Sequence, residues 1–283
     1  MMSTQPHIEQ LKNQLKDALY LDLDDFGLEE QTSREFASTY LGIRLKSAFQ
    51  PIYGNGELFG YEALLRSSLG DEQTVSPEFA FGYAEQSGGL IKFDRIARTL
   101  HVLNFRQIYA DYGLLFLNVH PQLLLNVTAH GKVFERILHA NSVPTHRIVI
   151  EIPESRIEDD KQLIRAIDNY RDLGYRIAID GFGQRYSSLN RLWKLSPEFV
   201  KLDNSLIHDA ERYPHVRNIL PRLVDIINTL GTRTIFKGIE TQKQLDIAIN
   251  SHNPLLQGNF LSPPANAKEL AVSNVIPRLT VAA

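Results

Sequence analysis

The chain has 283 residues, 43% of them hydrophobic, a formal net charge of −3 and no cysteine. That length suits one α/β barrel of ~250 residues or two smaller domains, with enough apolar material for a sizeable core. The weak negative charge argues against a general nucleic-acid or anionic-membrane surface, and the lack of cysteine removes disulfides, thiolate metal sites and thiol catalysis. No run of ~20 apolar residues is present to span a bilayer. The opening MMSTQPHIEQLKNQ lacks the basic-then-apolar order of a secretory leader, so the expected location is the cytoplasm and the sequon Asn126-Val127-Thr128 is coincidental.

Within residues 1–25, Ile8, Leu11, Leu15 and Leu19 recur at three- to four-residue intervals, which predicts a helix with a narrow apolar stripe. Such a helix either docks on the following domain or pairs with a partner; the stripe is too short for a self-sufficient coiled coil. The expected organisation is a helical extension over 1–28, a barrel domain over 29–275 and a tail over 276–283. Short apolar runs predict strands at 46–53, 58–66, 114–119, 147–152, 176–180, 198–203, 233–237 and 255–261. Between the first two, Gly54-Asn55-Gly56-Glu57 reads as a hairpin turn, so one pair is antiparallel. Helices are predicted from Ser76-Pro77-Glu78, with serine as N-cap and proline in the first turn, and from Asp159 to Leu173. Two more run from Pro214 to Leu230, before Gly231, and from the N-cap Thr241. Alternating strands and helices with near-continuous apolar strands predict a mostly parallel sheet covered by helices, and about eight strands allow it to close as an irregular barrel.

Parallel barrels gather chemistry at the carboxyl ends of their strands. Those ends here carry Glu62 and Arg66, Asn118, Glu151, Asp180, Lys201 with Asp203, Lys237 with Glu240, and Gln257. A single such residue is commonly salt-bridged or solvated. Jointly they demand a shared solution, because burying each without a partner costs several kcal/mol. Three carboxylates and an amide oxygen are hard ligands suited to Mg, Mn or Ca rather than zinc. There is no Walker A loop, HExxH or G-x-S-x-G, and Gly181-Phe182-Gly183 lacks the spacing of a dinucleotide loop. The nine histidines show no metal-ligand spacing; only His120, beside Asn118, stands near the site, where a packing role is the ordinary reading.

Gln50-Pro51-Ile52, Glu62-Ala63-Leu64-Leu65-Arg66, the segment Phe79 to Ile91, Asn118-Val119-His120-Pro121, Glu151-Ile152-Pro153-Glu154-Ser155, Lys201-Leu202-Asp203 and Gln257-Gly258 follow in an order that resembles the EAL domain family over roughly residues 40–270. Active members of that family hydrolyse cyclic di-GMP on a modified TIM-type (β/α)8 barrel with one antiparallel strand. The resemblance implies that Glu62, Asn118, Glu151 and Asp180 supply one metal site, for Mg or Mn. It also implies that Lys201 holds the attacking water or the phosphate, that Arg66 contacts phosphate, and that Gln50, Leu64, Asp94, Glu240 and Gln257 fall near the nucleotide.

Four features depart from the family pattern. Asp180-Gly181 stands where active members carry paired aspartates, and Lys237, in Phe236-Lys237-Gly238-Ile239-Glu240, stands where they carry glutamate. Gln184-Arg185 replaces a small residue and glycine in a loop that links the metal site to dimer contacts in the family; His120 replaces the serine of its Asn-x-Ser-Pro turn. The first two changes make the site three charge units more positive. At ~4 Å and an effective dielectric near ~20, each unit-charge interaction is worth ~4 kcal/mol, so a second divalent ion is disfavoured and two-metal hydrolysis fails. Lys201 and Glu240 then remain as vestiges of catalysis. Lys201, Lys237 and Arg66 can still meet a diphosphate, lysine as a point charge and arginine as a fork, or Lys237 can pair with Glu62 and Glu151 and close the pocket. Three functions follow: a catalytically silent cyclic di-GMP receptor that needs no metal, a nucleotide-free module acting on a regulatory protein, or a weak residual phosphodiesterase. A homodimer is compatible with each.

Overall fold

The structure is a computed structural model that describes residue 13 and residues 27–31, 35–70, 73–108, 113–126, 130–154, 160–184, 187–252 and 254–272. The rest of the expected N-terminal helix, Arg185 and the tail from residue 276 lie outside them. The strands are β1 (Glu29–Glu30), β2 (Phe36–Tyr40), β3 (Ile43–Gly54), β4 (Glu57–Leu69), β5 (Gln73–Val75), β6 (Leu114–Asn118), β7 (Ile148–Pro153), β8 (Arg176–Phe182), β9 (Phe199–Leu202), β10 (Arg233–Phe236) and β11 (Leu255–Leu256). The helices are α1 (Pro77–Gln86), α2 (Leu90–Ile108), α3 (Pro121–Asn126), α4 (His130–Ala140), α5 (Asp160–Asp172), α6 (Leu189–Leu195), α7 (Asn204–Arg212), α8 (Pro214–Thr229), α9 (Gln242–Ile249) and α10 (Ala267–Val272).

Eight strands close in the order β3-β11-β10-β9-β8-β7-β6-β4, sealed by the pairing of β3 with β4. Strand β3 runs antiparallel to both of its barrel neighbours, β4 and β11, while the others pair in parallel. The reversal follows from the predicted hairpin. Asn55 and Gly56 take φ of 54° and 77°, the left-handed pair that a two-residue type I′ turn requires. Both hairpin strands outrun their predicted lengths, because beyond the barrel rim β3 pairs with β2 and β4 with β5. The last predicted strand shrinks to Leu255–Leu256. Past it the chain folds over the β10 exit, where a Cβ on Gly258 would lie 2.1 Å from the Ile239 carbonyl oxygen, so only glycine fits.

The predicted helix signals hold locally. Ser76 Oγ accepts the Phe79 N–H at 3.2 Å, and Thr241 Oγ1 accepts the Gln244 N–H at 3.2 Å. Helix α2 was not legible as an element. It buries Leu90, Phe93, Ile96, Ala97, Leu100 and Leu103, a 3.6-residue period broken by equally buried Asp94, Arg98 and Asn104 that read as surface positions.

Side-chain parity builds the site. A plug of Ile52, Phe116, Val149, Ala178, Phe199, Ile235 and Leu255 fills the barrel interior. Successive side chains alternate across a strand, so the residue two positions nearer the carboxyl rim points the same way. On six parallel strands those residues are Asn118, Glu151, Asp180, Lys201, Lys237 and Gln257, and on reversed β3 it is Gln50. Glu62 on β4 joins this layer in register with Gln50.

Candidate functional site

Lys201 is the centre of the polar layer. Its side chain is 0% exposed, and Nζ lies 2.7 Å from Glu62 Oε2 and 2.7 Å from Glu151 Oε1. Gln257 Nε2 donates to Glu62 Oε2 at 2.6 Å and to Gln50 Oε1 at 3.1 Å, and Asn118 Nδ2 donates to Glu62 Oε1 at 3.2 Å. Gln50 in turn donates to Asn259 Oδ1 and the Ser262 carbonyl, each at 3.2 Å. Burial works against ionising Glu62, but the charge and hydrogen bond of Lys201 and the bond from Gln257 prevail and hold its carboxyl at about 2. Glu151 goes the other way: full burial and the neighbouring Glu62 charge raise it well above the carboxylate range, against the pull of Lys201. Burial opposes the Lys201 charge, yet Glu151, Glu62 and Asp180 raise its pKa further. One ammonium and two carboxyl groups therefore share the closed side of the site, with Glu62 held toward its charged form and Glu151 pushed toward its protonated form, and Glu151 Oε2 has no hydrogen-bond partner among the described residues.

A second, more open pair stands beside it. Lys237 Nζ lies 2.6 Å from Asp180 Oδ1, the two side chains 25% and 20% exposed. The adjoining Gly181 has φ +83° and sits at a register shift between β8 and β9, a bulge of the kind that re-aims neighbouring side chains. In the loop that follows, Gln184 Nε2 donates to Asp203 Oδ2 at 2.6 Å, while Asp203 Oδ1 accepts the Ser205 N–H and caps α7. Burial resists the Asp203 charge, but these bonds lower its carboxyl.

Leu64, Arg66 and Asp94 belong to a separate groove of about 530 Å³ beneath α1, which Asn118 also lines. Arg66 is exposed, its guanidinium donating to the Leu65 carbonyl at 3.3 Å. Asp94, 1% exposed, is held by Arg98, 2% exposed, through Nε at 2.8 Å and Nη2 at 2.5 Å. Glu240 stands apart: it is exposed on the loop after β10, where its N–H donates to Gln244 Oε1 at 2.7 Å. Sequence reasoning missed the Arg98 clamp and the Gln184–Asp203 bond. The i, i+4 spacing of Asp94 and Arg98 on one helix face was the available signal for the first; nothing in the sequence announced the second.

The arrangement does not fit a pair of divalent ions. Glu62 and Glu151 are taken by Lys201, not by Lys237 as expected, because Lys201 lies buried between them while Lys237 stands at the rim beside Asp180; no group of three histidine or acidic side chains among the described residues converges as a metal cage. What it presents is an internally compensated polar floor beside an open groove with Arg66 at its edge.

The EAL domain model matches residues 34–264. The chain belongs to the EAL domain family. Among relatives of this EAL chain, the probable cyclic di-GMP phosphodiesterase PdeB of Escherichia coli is 31% identical over 69% of this chain and 38% of that protein. The EAL-domain protein YkuI of Bacillus subtilis is 30% identical over 77% of this chain and 54% of that one. The chain thus spans about a third to a half of the length of these curated relatives. Among solved structures, a standalone EAL protein from Vibrio cholerae in its c-di-GMP bound form superposes with a TM-score of 0.68 at 25% identity, over 79% of this chain and 93% of that one. No helix among the described residues is long and apolar enough to cross a membrane.

Proposed function

We propose that this EAL chain is a catalytically silent receptor for cyclic di-GMP in the cytoplasm, binding the nucleotide without an obligatory metal. The observation that carries the reading is the Lys237–Asp180 pair at 2.6 Å, next to a glycine where a second carboxylate is required. An ammonium tethered there opposes a second divalent ion and leaves two-metal hydrolysis without one of its ions. The same ammonium, with Arg66 at the groove edge, supplies positive charge for a diphosphate. The kinship with a protein whose structure holds c-di-GMP supports the choice of ligand, and the retained Glu62-Ala63-Leu64-Leu65-Arg66 run, Asn118 and Gln257 support retention of the pocket.

Binding of the nucleotide releases Lys237 from Asp180 toward phosphate, and Lys201 remains fixed because two buried carboxyl groups hold it. The bound state is read by a protein partner or a second copy of the chain. A nucleotide-free module acting on a regulatory protein is the second reading, favoured by the same ion pair, since Lys237 already has its counter-ion and gains little from a phosphate.

Calorimetry with cyclic di-GMP, with and without Mn, separates the readings. Micromolar binding indifferent to Mn, with no linear dinucleotide released, is the expected result. Absence of heat in either condition leaves the partner module. Steady release of linear dinucleotide overturns the claim of silence. The double variant Gly181→Asp, Lys237→Glu is expected to gain Mn-dependent binding and detectable hydrolysis. Gly181 has room for a side chain, its nearest contact being Gln184 at 3.9 Å, but its φ of +83° is tolerated by aspartate better than by most residues and still opposes it.

A further inference from the structure

The histidine in Asn118-Val119-His120-Pro121, where the family pattern has serine, occupies a defined setting. Its ring lies nearly parallel to Phe81, with centroids 5.8 Å apart and planes at 13°. Phe81 is itself fixed by Phe93, edge-on at 4.9 Å. Both His120 and Phe81 line the groove beneath α1, which Leu64, Arg66 and Asp94 also line. His120 Nδ1 is buried and has no hydrogen-bond partner among the described residues. A buried N–H without an acceptor is rarer than a bare acceptor, so the ring proton belongs on Nε2. That leaves Nε2–H as the group able to meet a ligand, and makes the ring a donor on that side. A serine at this position offers neither the planar surface nor the reach.

We propose that His120 is a specificity-determining residue for a purine base held in this groove, donating from Nε2 to a ring-edge acceptor such as N7 or O6 of guanine. Phe81 holds the imidazole in the plane that this contact needs. The inference rests on the nucleotide reading above and deepens it by naming the residue that contacts the base. The groove, about 530 Å³, lies within the ~300–1,000 Å³ of small-molecule sites. It has room for a base and its sugar, with Arg66 placed to meet the phosphate that follows.

Nitrogen-15 NMR of histidine-labelled full-length chain tests the ring directly. The expected spectrum shows His120 as the Nε2–H tautomer, with its Nε2 signal displaced on adding cyclic di-GMP; an Nδ1–H tautomer overturns the proposal. Calorimetry on His120→Ser, His120→Phe and His120→Gln tests the contact. Serine and phenylalanine are each expected to weaken binding about tenfold, the worth of one hydrogen bond, whereas glutamine, which keeps a terminal N–H donor, loses far less. Phenylalanine binding as well as histidine overturns the donor role. If the wild-type chain takes no cyclic di-GMP at all, the receptor reading falls by itself. The groove is then titrated with millimolar guanosine monophosphate: displacement of the His120 Nε2 signal sustains the base site, and an unmoved signal overturns it.

Discussion

The two lysines of the polar layer come from neighbouring strands, Lys201 level with Ile235 and Lys237 two residues nearer the rim, and face opposite fates. Lys201 is sealed between Glu62 and Glu151 with no exposure, whereas Lys237 meets Asp180 at the rim with about a quarter of its side chain in solvent. The closed half is fixed by desolvation: two carboxyl groups and an ammonium out of water hold one another because none has an alternative. The open half keeps alternatives, since water, a phosphate or a metal can each compete for Asp180 or Lys237. Buried charge thus serves as architecture and rim charge as an adjustable contact, although both are lysines on barrel strands.

The largest break in that comparison is Lys201→Ala. It strands the Glu62 carboxylate inside the barrel and is expected to lower unfolding free energy by about 3–5 kcal/mol in urea titration; a loss below ~1 kcal/mol would show the cluster to be far wetter than its burial implies. Next comes a split between the two glutamates. Glu62 is ionised, so Glu62→Gln removes charge-assisted bonds and is expected to cost about 1.5–3 kcal/mol. Burial and the Glu62 charge push Glu151 toward its protonated form, so Glu151→Gln, which puts a neutral donor–acceptor group in its place, is expected to cost under ~1 kcal/mol. Equal losses would refute this split between the two glutamates.

The same split has a pH signature. Glu62 holds its folded carboxyl at about 2 against 4.5 in the free side chain. Its contribution is therefore complete above pH ~4.5 and is lost as pH falls toward 2, which Glu62→Gln should abolish. Glu151 is raised, so its folded form retains a proton that the unfolded chain gives up above pH ~4.5. That costs stability as pH rises, and Glu151→Gln should flatten the decline in a urea series across pH. The smallest effect belongs to the rim. Lys237→Ala is expected to change stability by no more than ~1 kcal/mol, as for a partly solvated pair, while measurably strengthening Mn binding followed by calorimetry. A large stability loss without a change in Mn affinity would place Lys237 with the closed half.

Much of this site was legible because strand parity is local. Once Phe116, Val149, Ala178, Phe199 and Ile235 are read as interior, Asn118, Glu151, Asp180, Lys201 and Lys237 must share their direction two residues later. The hairpin was equally readable, since Asn55-Gly56 is one of few pairs that accept two left-handed conformations. Helix α2 escaped because buried polar residues broke its apolar period: Asp94 and Arg98 satisfy each other within the helix, whereas Asn104 bonds the Phe36 backbone and Ser47, distant in sequence.

The amino-acid sequence alone determined the barrel, its reversed strand and the set of polar residues facing inward at one rim, because these depend on spacing within single elements. It also determined that one carboxylate was lost at Gly181 and a cation added at Lys237. Only the tertiary structure decided who pairs with whom: that Lys201 bridges two glutamates, that Lys237 takes Asp180, and that Asp94 lines the groove beneath α1 while Glu62 is held in the Lys201 cluster. Those pairings compare distances and burial across strands up to about 140 residues apart, as for Lys201 and Glu62, and no local pattern encodes them.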